Sequence, residues 1–322
     1  MSGFLQRVDP ELRPGLQYSS DFPPPTSEAE LGSFRQRTAR EVFPDAIEDT
    51  VEDISVRTRT TGGVRVTVYS PPSNGMRPAI YWIHGGGLIA GSADADAPYC
   101  LDLCTATGAV VVAVDYRLAP EHPYPAALED VCAGLDWLFE SCADLSVDPD
   151  RIAIAGSSAG GGLAAAAALV DRDRRGGRLA FQYLMYPMLD DRHTTPSSRE
   201  FIDVPTWNRA NSEFAWQCYL GELRAVNGAG LPSTAAPARA VDLRGLPPTL
   251  IQVGELDLFR DEDITYATRL LQAGVATELH VYPGAYHGYE LNVPQSRVGS
   301  RTFDDRNRAF QAILTTSESI TP

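Results

Sequence analysis

An α/β fold is predicted: an eight-stranded, mostly parallel sheet with helices on both faces and a helical cap. Three observations predict it. From Ala79 onward, six short apolar runs alternate with helical stretches: Ala79–Ile83, Val110–Val114, Ile152–Ala155, Phe181–Tyr186, Thr249–Val253 and Thr277–Tyr282. Runs apolar at every position belong to strands covered on both faces, the habit of parallel sheets. Two earlier strands, Asp53–Thr60 and Val64–Tyr69, are joined only by Thr61-Gly62-Gly63, so they form an antiparallel hairpin at the sheet edge. Finally, roughly sixty residues between Pro187 and Pro248 carry no strand signal, too many for an ordinary connection.

Taken in order, residues 1 to about 25 are rich in Pro, Gly and polar side chains and read as an extended arm. Ser27 and Glu30 form a capping box opening a helix to Val42, with Leu31 and Phe34 on one side. This helix precedes the first strand and is expected outside the sheet. Inside the long interval Asn208–Leu220 reads as a helix carrying Phe214, Trp216 and Tyr219. A last helix spans Ser300–Leu314, and the residues after it are expected to fray. The division that follows is an N-terminal cap segment 1–45, a core of 46–187 and 248–322, and an inserted lid 188–247.

Composition narrows the function. The chain of 322 residues is 43% apolar and 21% charged, ordinary for a soluble globular protein. Its net charge is −15 and all 27 of its basic residues are arginine, so it repels phosphate backbones and no nucleic-acid partner is expected. Met1–Gln17 holds no apolar run of signal-peptide length, and no stretch is apolar enough to span a bilayer. No stable membrane insertion and a cytoplasmic location are therefore expected. The five cysteines (Cys100, Cys104, Cys132, Cys142, Cys218) are scattered, with no metal-finger spacing, so neither a metal site nor a disulfide framework is expected.

The chemistry centres on Gly156-Ser157-Ser158-Ala159-Gly160. An apolar strand precedes it and an Ala-rich helix from Ala159 to Val170 follows. A strand, a turn of small residues around a serine, then a helix is the context of a nucleophile elbow, and the register selects Ser158. The turn lifts the hydroxyl to the C-terminal edge of the sheet, where the helix N-terminus favours developing negative charge. His84-Gly85-Gly86-Gly87 ends the Ala79–Ile83 strand, and consecutive glycines there let bare N–H groups approach a substrate. They read as an oxyanion loop, since no Lys-Ser/Thr ending marks a phosphate cradle; the N–H of Ala159 supplies a further donor. An orienting acid should follow a later strand, where Asp257 competes with Glu255 and Asp261. Of five histidines, His280 lies within a strand and His122 and His193 in loops without a strand end before them. His287 follows the last strand after the Pro283-Gly284 turn and is the candidate base, completing the order Ser, Asp, His.

These residues resemble the hormone-sensitive-lipase-like (bacterial family IV) carboxylesterases of the α/β-hydrolase superfamily, over nearly the whole chain. The segments that carry the resemblance are His84–Gly87 continuing to Gly91-Ser92, Asp115 to Pro123 (DYRLAPEHP), Gly156–Gly161, Asp257–Glu262 (DLFRDE) and His287-Gly288-Tyr289. The resemblance favours Asp257 as the acid and implies the triad Ser158, Asp257 and His287. It also implies oxyanion donors from Gly86, Gly87 and Ala159, with Gly85 in the same loop. A cap from the N-terminal helix and the insert is implied as well, with Leu88, Trp207, Phe214, Trp216 and Tyr219 as pocket candidates. Three departures stand out: Ser157 replaces an acidic residue beside the nucleophile, Leu258 a proline and Tyr289 a phenylalanine.

What the resemblance implies is ester hydrolysis through an acyl-enzyme on small to medium apolar acyl esters. That chemistry calls for no cofactor and no metal, and loses rate at acid pH as His287 protonates. The partner is a small-molecule ester, and a homodimer through edge strands or the last helix is one assembly the resemblance implies. A lactonase, amidase or thioesterase would use the same parts. A non-catalytic receptor, as in the plant gibberellin receptors, would lack the histidine that is present here.

Overall fold

Strand side chains alternate between two faces, and in this chain both faces are apolar. The computed structural model describes residues 2–21, 23–41, 53–72, 75–225 and 230–314. In chain order these form α1 (Ser2–Arg7), α2 (Arg13–Asp21), α3 (Glu28–Glu41), β1 (Ser55–Thr61), β2 (Val64–Ser70), β3 (Arg77–Ile83), α4 (Ala97–Thr107) and β4 (Val110–Asp115). There follow α5 (Ala126–Glu140), α6 (Cys142–Leu145), β5 (Val147–Ser157), α7 (Ala159–Arg175), β6 (Phe181–Met185), α8 (Pro196–Glu200) and α9 (Arg209–Leu220). The chain closes with β7 (Thr249–Leu256), α10 (Arg260–Gln272), β8 (Thr277–Tyr286), α11 (Tyr289–Asn292) and α12 (Arg297–Leu314).

One eight-stranded sheet runs β1-β2-β4-β3-β5-β6-β7-β8. The pairs β1–β2 and β2–β4 are antiparallel and every other pair is parallel, so the expected edge hairpin and parallel body are both present. On one face Tyr81, Ile83, Val112 and Ile154 pack with Leu135 of α5, Leu163 of α7 and Leu270 of α10. On the other, Ile80, Trp82, Ala113 and Ala153 pack with Cys100 of α4 and Phe310 of α12. The strict odd–even division is what a two-sided core requires.

Three expectations need correction. The first 25 residues are not an extended arm. They include α1 and α2, and Phe4, Val8, Leu12 and Leu16 are buried at four-residue spacing. Burial of that stripe outweighs the Pro and Gly signals. Asp9 donates its N–H to the Gly284 carbonyl at 3.1 Å, and the Leu12 carbonyl accepts the Tyr286 hydroxyl at 3.0 Å. Next, β8 does not stop at Tyr282: it runs through Pro283-Gly284 to Tyr286, accommodating a register irregularity opposite β7. His287 therefore follows the strand end directly. Last, the α3 cap extends one residue beyond Ser27: the Glu30 carboxylate engages the Ser27 N–H and hydroxyl, as expected, and also accepts the Thr26 N–H at 2.7 Å and its hydroxyl at 3.1 Å. That helix reaches Glu41; Val42 and the tail after Leu314 lie outside the described residues.

The long interval contains α8 and α9 and, as expected, no strand among its described residues. Asn208 caps α9 reciprocally: its side chain accepts the N–H groups of Ala210 and Asn211, and the Asn211 side chain accepts the Asn208 N–H at 3.0 Å.

Candidate active site

The elbow is built by close approach. A Cβ on Gly160 would sit 2.1 Å from the Ile83 carbonyl oxygen, and one on Gly156 would sit 2.4 Å from the Gly160 oxygen. Only hydrogen fits where α7 crosses the ends of β3 and β5. Between them Ser158 is held at φ 54°, ψ −118°, a strained conformation for a residue with a side chain. Its N–H donates to the Met185 carbonyl at 2.8 Å, and its own carbonyl accepts the N–H groups of Met188 and Gly162 at 2.9 and 3.0 Å. Backbone hydrogen bonds, not the hydroxyl, hold the turn.

Three predicted side chains meet here. His287 Nε2 lies 3.0 Å from Ser158 Oγ, and His287 Nδ1 lies 2.8 Å from Asp257 Oδ2. Asp257 is wholly buried, and its Oδ1 accepts the Phe259 N–H at 2.9 Å. The tautomer that uses both contacts donates from Nδ1 to Asp257 and accepts the serine hydroxyl at Nε2. The rival carboxylates are engaged elsewhere. Glu255 accepts the Gly284 N–H and pairs with Arg7, and Asp261 pairs with Arg260 and accepts the Ser197 N–H. His280 stays in β8 beside Glu278, and His193 is buried against the Ser212 hydroxyl at 2.8 Å.

The glycine loop borders the same spot. Among the described residues no acceptor meets the N–H of Gly86 or Gly87, and Ala159 opens α7, where N–H groups have no partner within the helix. Gly87 has φ +63°, and a Cβ there would fall 2.4 Å from the Trp207 ring. His84 is buried and stacked on Tyr116 at 4.1 Å, and desolvation holds its imidazole below the ordinary histidine range. The Ser157 hydroxyl, which replaces an acid, has no hydrogen-bond partner among the described residues, although it lines the cavity.

A cavity of about 730 Å³ opens above Ser158 and His287. Its apolar wall includes Phe34 of α3, Leu118, Tyr99, Tyr186, Trp207, Leu291 and Phe303. Of the five pocket candidates, only Trp207 lines it. Leu88 points into the core, and Phe214, Trp216 and Tyr219 are buried in the packing of α9; Tyr219 meets Tyr124 edge-on at 5.7 Å. Their aromatic character reported burial, not a substrate wall. Tyr186 and Glu290 escaped the sequence reading although each sits within three residues of a strand end or of the base, the one signal that could have found them. Arg35 of α3 binds this rim to the body: it donates to Ile89 O at 2.6 Å and Ala119 O at 2.8 Å and pairs with Glu121. That guanidinium pulls the Glu121 carboxyl down to about 2.

Comparison with known proteins bears on the fold and the family. A family profile described as the alpha/beta hydrolase fold matches residues 80–291. Carboxylesterase NlhH of Mycobacterium tuberculosis is 39% identical over 295 residues, covering 87% of this chain and 89% of that protein. Ethyl acetate hydrolase of Pseudomonas putida is 32% identical over 75% of this chain and 76% of its own length. Among solved structures, a bacterial heroin esterase superposes with a TM-score of 0.89 at 38% identity, covering 96% of this chain and 98% of that one. Esterase LipW of Mycobacterium marinum gives 0.85 at 36% identity, covering 96% of each. With fold, profile and relatives in agreement, the chain belongs to the α/β-hydrolase family, in its hormone-sensitive-lipase-like branch of serine hydrolases.

Proposed function

We propose that the protein hydrolyses carboxylic esters with small to medium apolar acyl groups through an acyl-enzyme on Ser158. The observation that carries the reading is the unbroken relay Ser158–His287–Asp257, with contacts of 3.0 and 2.8 Å, at the floor of a largely apolar cavity. The names of the relatives, an ethyl acetate hydrolase and a carboxylesterase among them, support the substrate class.

Ser158 Oγ attacks the ester carbonyl while His287 Nε2 takes its proton. Asp257 holds the Nδ1–H tautomer and stabilises the imidazolium. The carbonyl oxygen, now negative, accepts hydrogen bonds from the N–H groups of Gly86, Gly87 and Ala159, each worth on the order of 3 kcal/mol in the transition state. Collapse breaks the bond to the alcohol, which leaves with the proton from His287. Water then repeats the sequence on the acyl-serine and releases the acid. Segments 1–45 and 188–247 act as the cap, with Phe34 and Trp207 confining the acyl group.

A serine-reactive phosphonate and a series of p-nitrophenyl esters test this. One phosphonate per chain is expected on Ser158, together with kcat/KM highest for short to medium acyl groups. Labelling at another residue, or no hydrolysis of any member, would overturn it.

A further inference from the structure

Glu290 lies three residues beyond His287 and is wholly buried in the wall of the cavity. One carboxyl oxygen accepts the hydroxyl of Tyr186; the other, Oε2, has no partner among the described residues. Tyr186 is itself tightly held. It follows β6 at φ 35°, a left-handed conformation uncommon for an aromatic residue, and its N–H donates to Gln252 O at 2.6 Å. Its ring lies 4.4 Å from the His287 imidazole, with the planes at 55°. The ring beside the base is thus fixed at both ends, by backbone and by hydroxyl.

A buried carboxyl without a cation is costly, and among the described residues no arginine pairs with Glu290; the buried Arg306 of α12 lies over the Tyr99 ring at 4.7 Å and pairs with Asp102. Tyr99 faces it from α4, Tyr186 from the end of β6, Asp257 from the end of β7 and Tyr286 from β8; His287 and Tyr289 share its own turn. Burial holds the four tyrosines neutral. The remaining group that can become positive is the imidazole of His287, and hydrolysis makes it so.

We propose that Glu290 is a positioning residue for the hydrolytic reaction: through the Tyr186 hydroxyl it fixes the ring that packs on His287, and its carboxylate favours the imidazolium formed in each step. The inference rests on the reading of His287 as the base. Burial raises the Glu290 carboxyl to about 7, against the opposing pull of the Tyr186 hydroxyl and His287, so it ionises where a histidine base is switched on. An ionised Glu290 stabilises the protonated imidazole. Its loss should therefore lower turnover and let the base work at more acid pH.

The test is the pH profile of kcat/KM and the plateau kcat for the wild-type protein, Glu290→Gln and Tyr186→Phe, with phosphonate labelling of Ser158 counting intact sites. Glu290→Gln keeps an acceptor for Tyr186 but loses the charge. It should lower kcat roughly three- to tenfold, with the acid limb displaced to lower pH by about half a unit. Tyr186→Phe should lower kcat by a similar factor without that displacement. Profiles of Glu290→Gln that superimpose on the wild type, with full Ser158 labelling, would overturn the inference. Absence of Ser158 labelling in the wild-type protein would instead remove the reading on which it rests.

Discussion

Ser158 keeps a strained backbone because three main-chain hydrogen bonds and two facing glycines leave it no other conformation. Ser158→Ala should therefore stay folded while kcat falls by roughly 10⁴–10⁶; circular dichroism and initial rates together check this, and retained turnover would refute the nucleophile. Asp257→Asn should cost about 10⁴ in kcat, because an amide no longer selects the Nδ1–H tautomer. Gly87→Ala places a methyl within 2.4 Å of Trp207 at a positive φ. It should cost on the order of 10²–10³ in kcat by moving an oxyanion donor, and near-normal rates would exclude Gly87 from that role. At this scale the meeting of Ser158, His287 and Asp257 was legible because each follows the carboxyl end of a strand, where side chains converge. Phe214, Trp216 and Tyr219 misled, since an aromatic residue on a helix reads the same in sequence whether it meets core or substrate. Glu290 and Tyr186 were silent because their contact joins α11 to the residue after β6, 104 positions apart in the sequence.

Elements differ in how openly the sequence displays them. The central strands were plain because burial on both faces leaves unbroken apolar runs. Their ends were not: β5 begins at Val147 and passes through Asp148-Pro149-Asp150, and β8 continues across a proline and a glycine. Both stretches are irregularities flanked by paired residues, Val147 and Ile152 opposite β3 and Tyr282 and Tyr286 opposite β7, which carry the strand past them. The first two helices hid behind Pro10, Pro14 and Gly15, although Phe4, Val8, Leu12 and Leu16 mark a buried face. The α10 helix carries a different lesson. Asp263 in its first turn is wholly buried, and neither carboxyl oxygen has a partner among the described residues. Burial first, then the nearby Glu262 and Asp257, push its carboxyl well above the usual range. The folded state thus holds a proton that the unfolded chain releases above about 4, so Asp263 contributes less stability as pH rises through that window. Asp263→Ala should raise stability by about 1–3 kcal/mol near neutrality, with a gain that grows from pH 5 to pH 8. Urea titrations at both values check this; a gain that shrinks with pH would contradict it.

Across the whole molecule, the N-terminal segment and the insert meet over one rim of the sheet. Phe34 and Trp207 stand 173 positions apart in the sequence yet line one cavity, and Arg35 ties α3 to the loop after β3. Arg35→Ala should raise KM several-fold, roughly three- to tenfold, while kcat changes less, because the cap shapes binding rather than bond breaking. Initial rates over a substrate series measure this, and an unchanged KM would detach α3 from the site. No helix among the described residues is long and apolar enough to cross a membrane. The architecture was the most legible level of all, since alternating strands and helices with one long interruption allow few arrangements.

Asp9 and Leu12 bond to Gly284 and Tyr286, immediately before His287. A protease nick between Asp9 and Arg13 would leave every reacting atom untouched and yet unmoor the strand end from which the imidazole projects. Preparations trimmed there should lose turnover while still melting as one cooperative unit, so a gel band a dozen residues short, rather than a lower melting point, would be the sign of a failing batch.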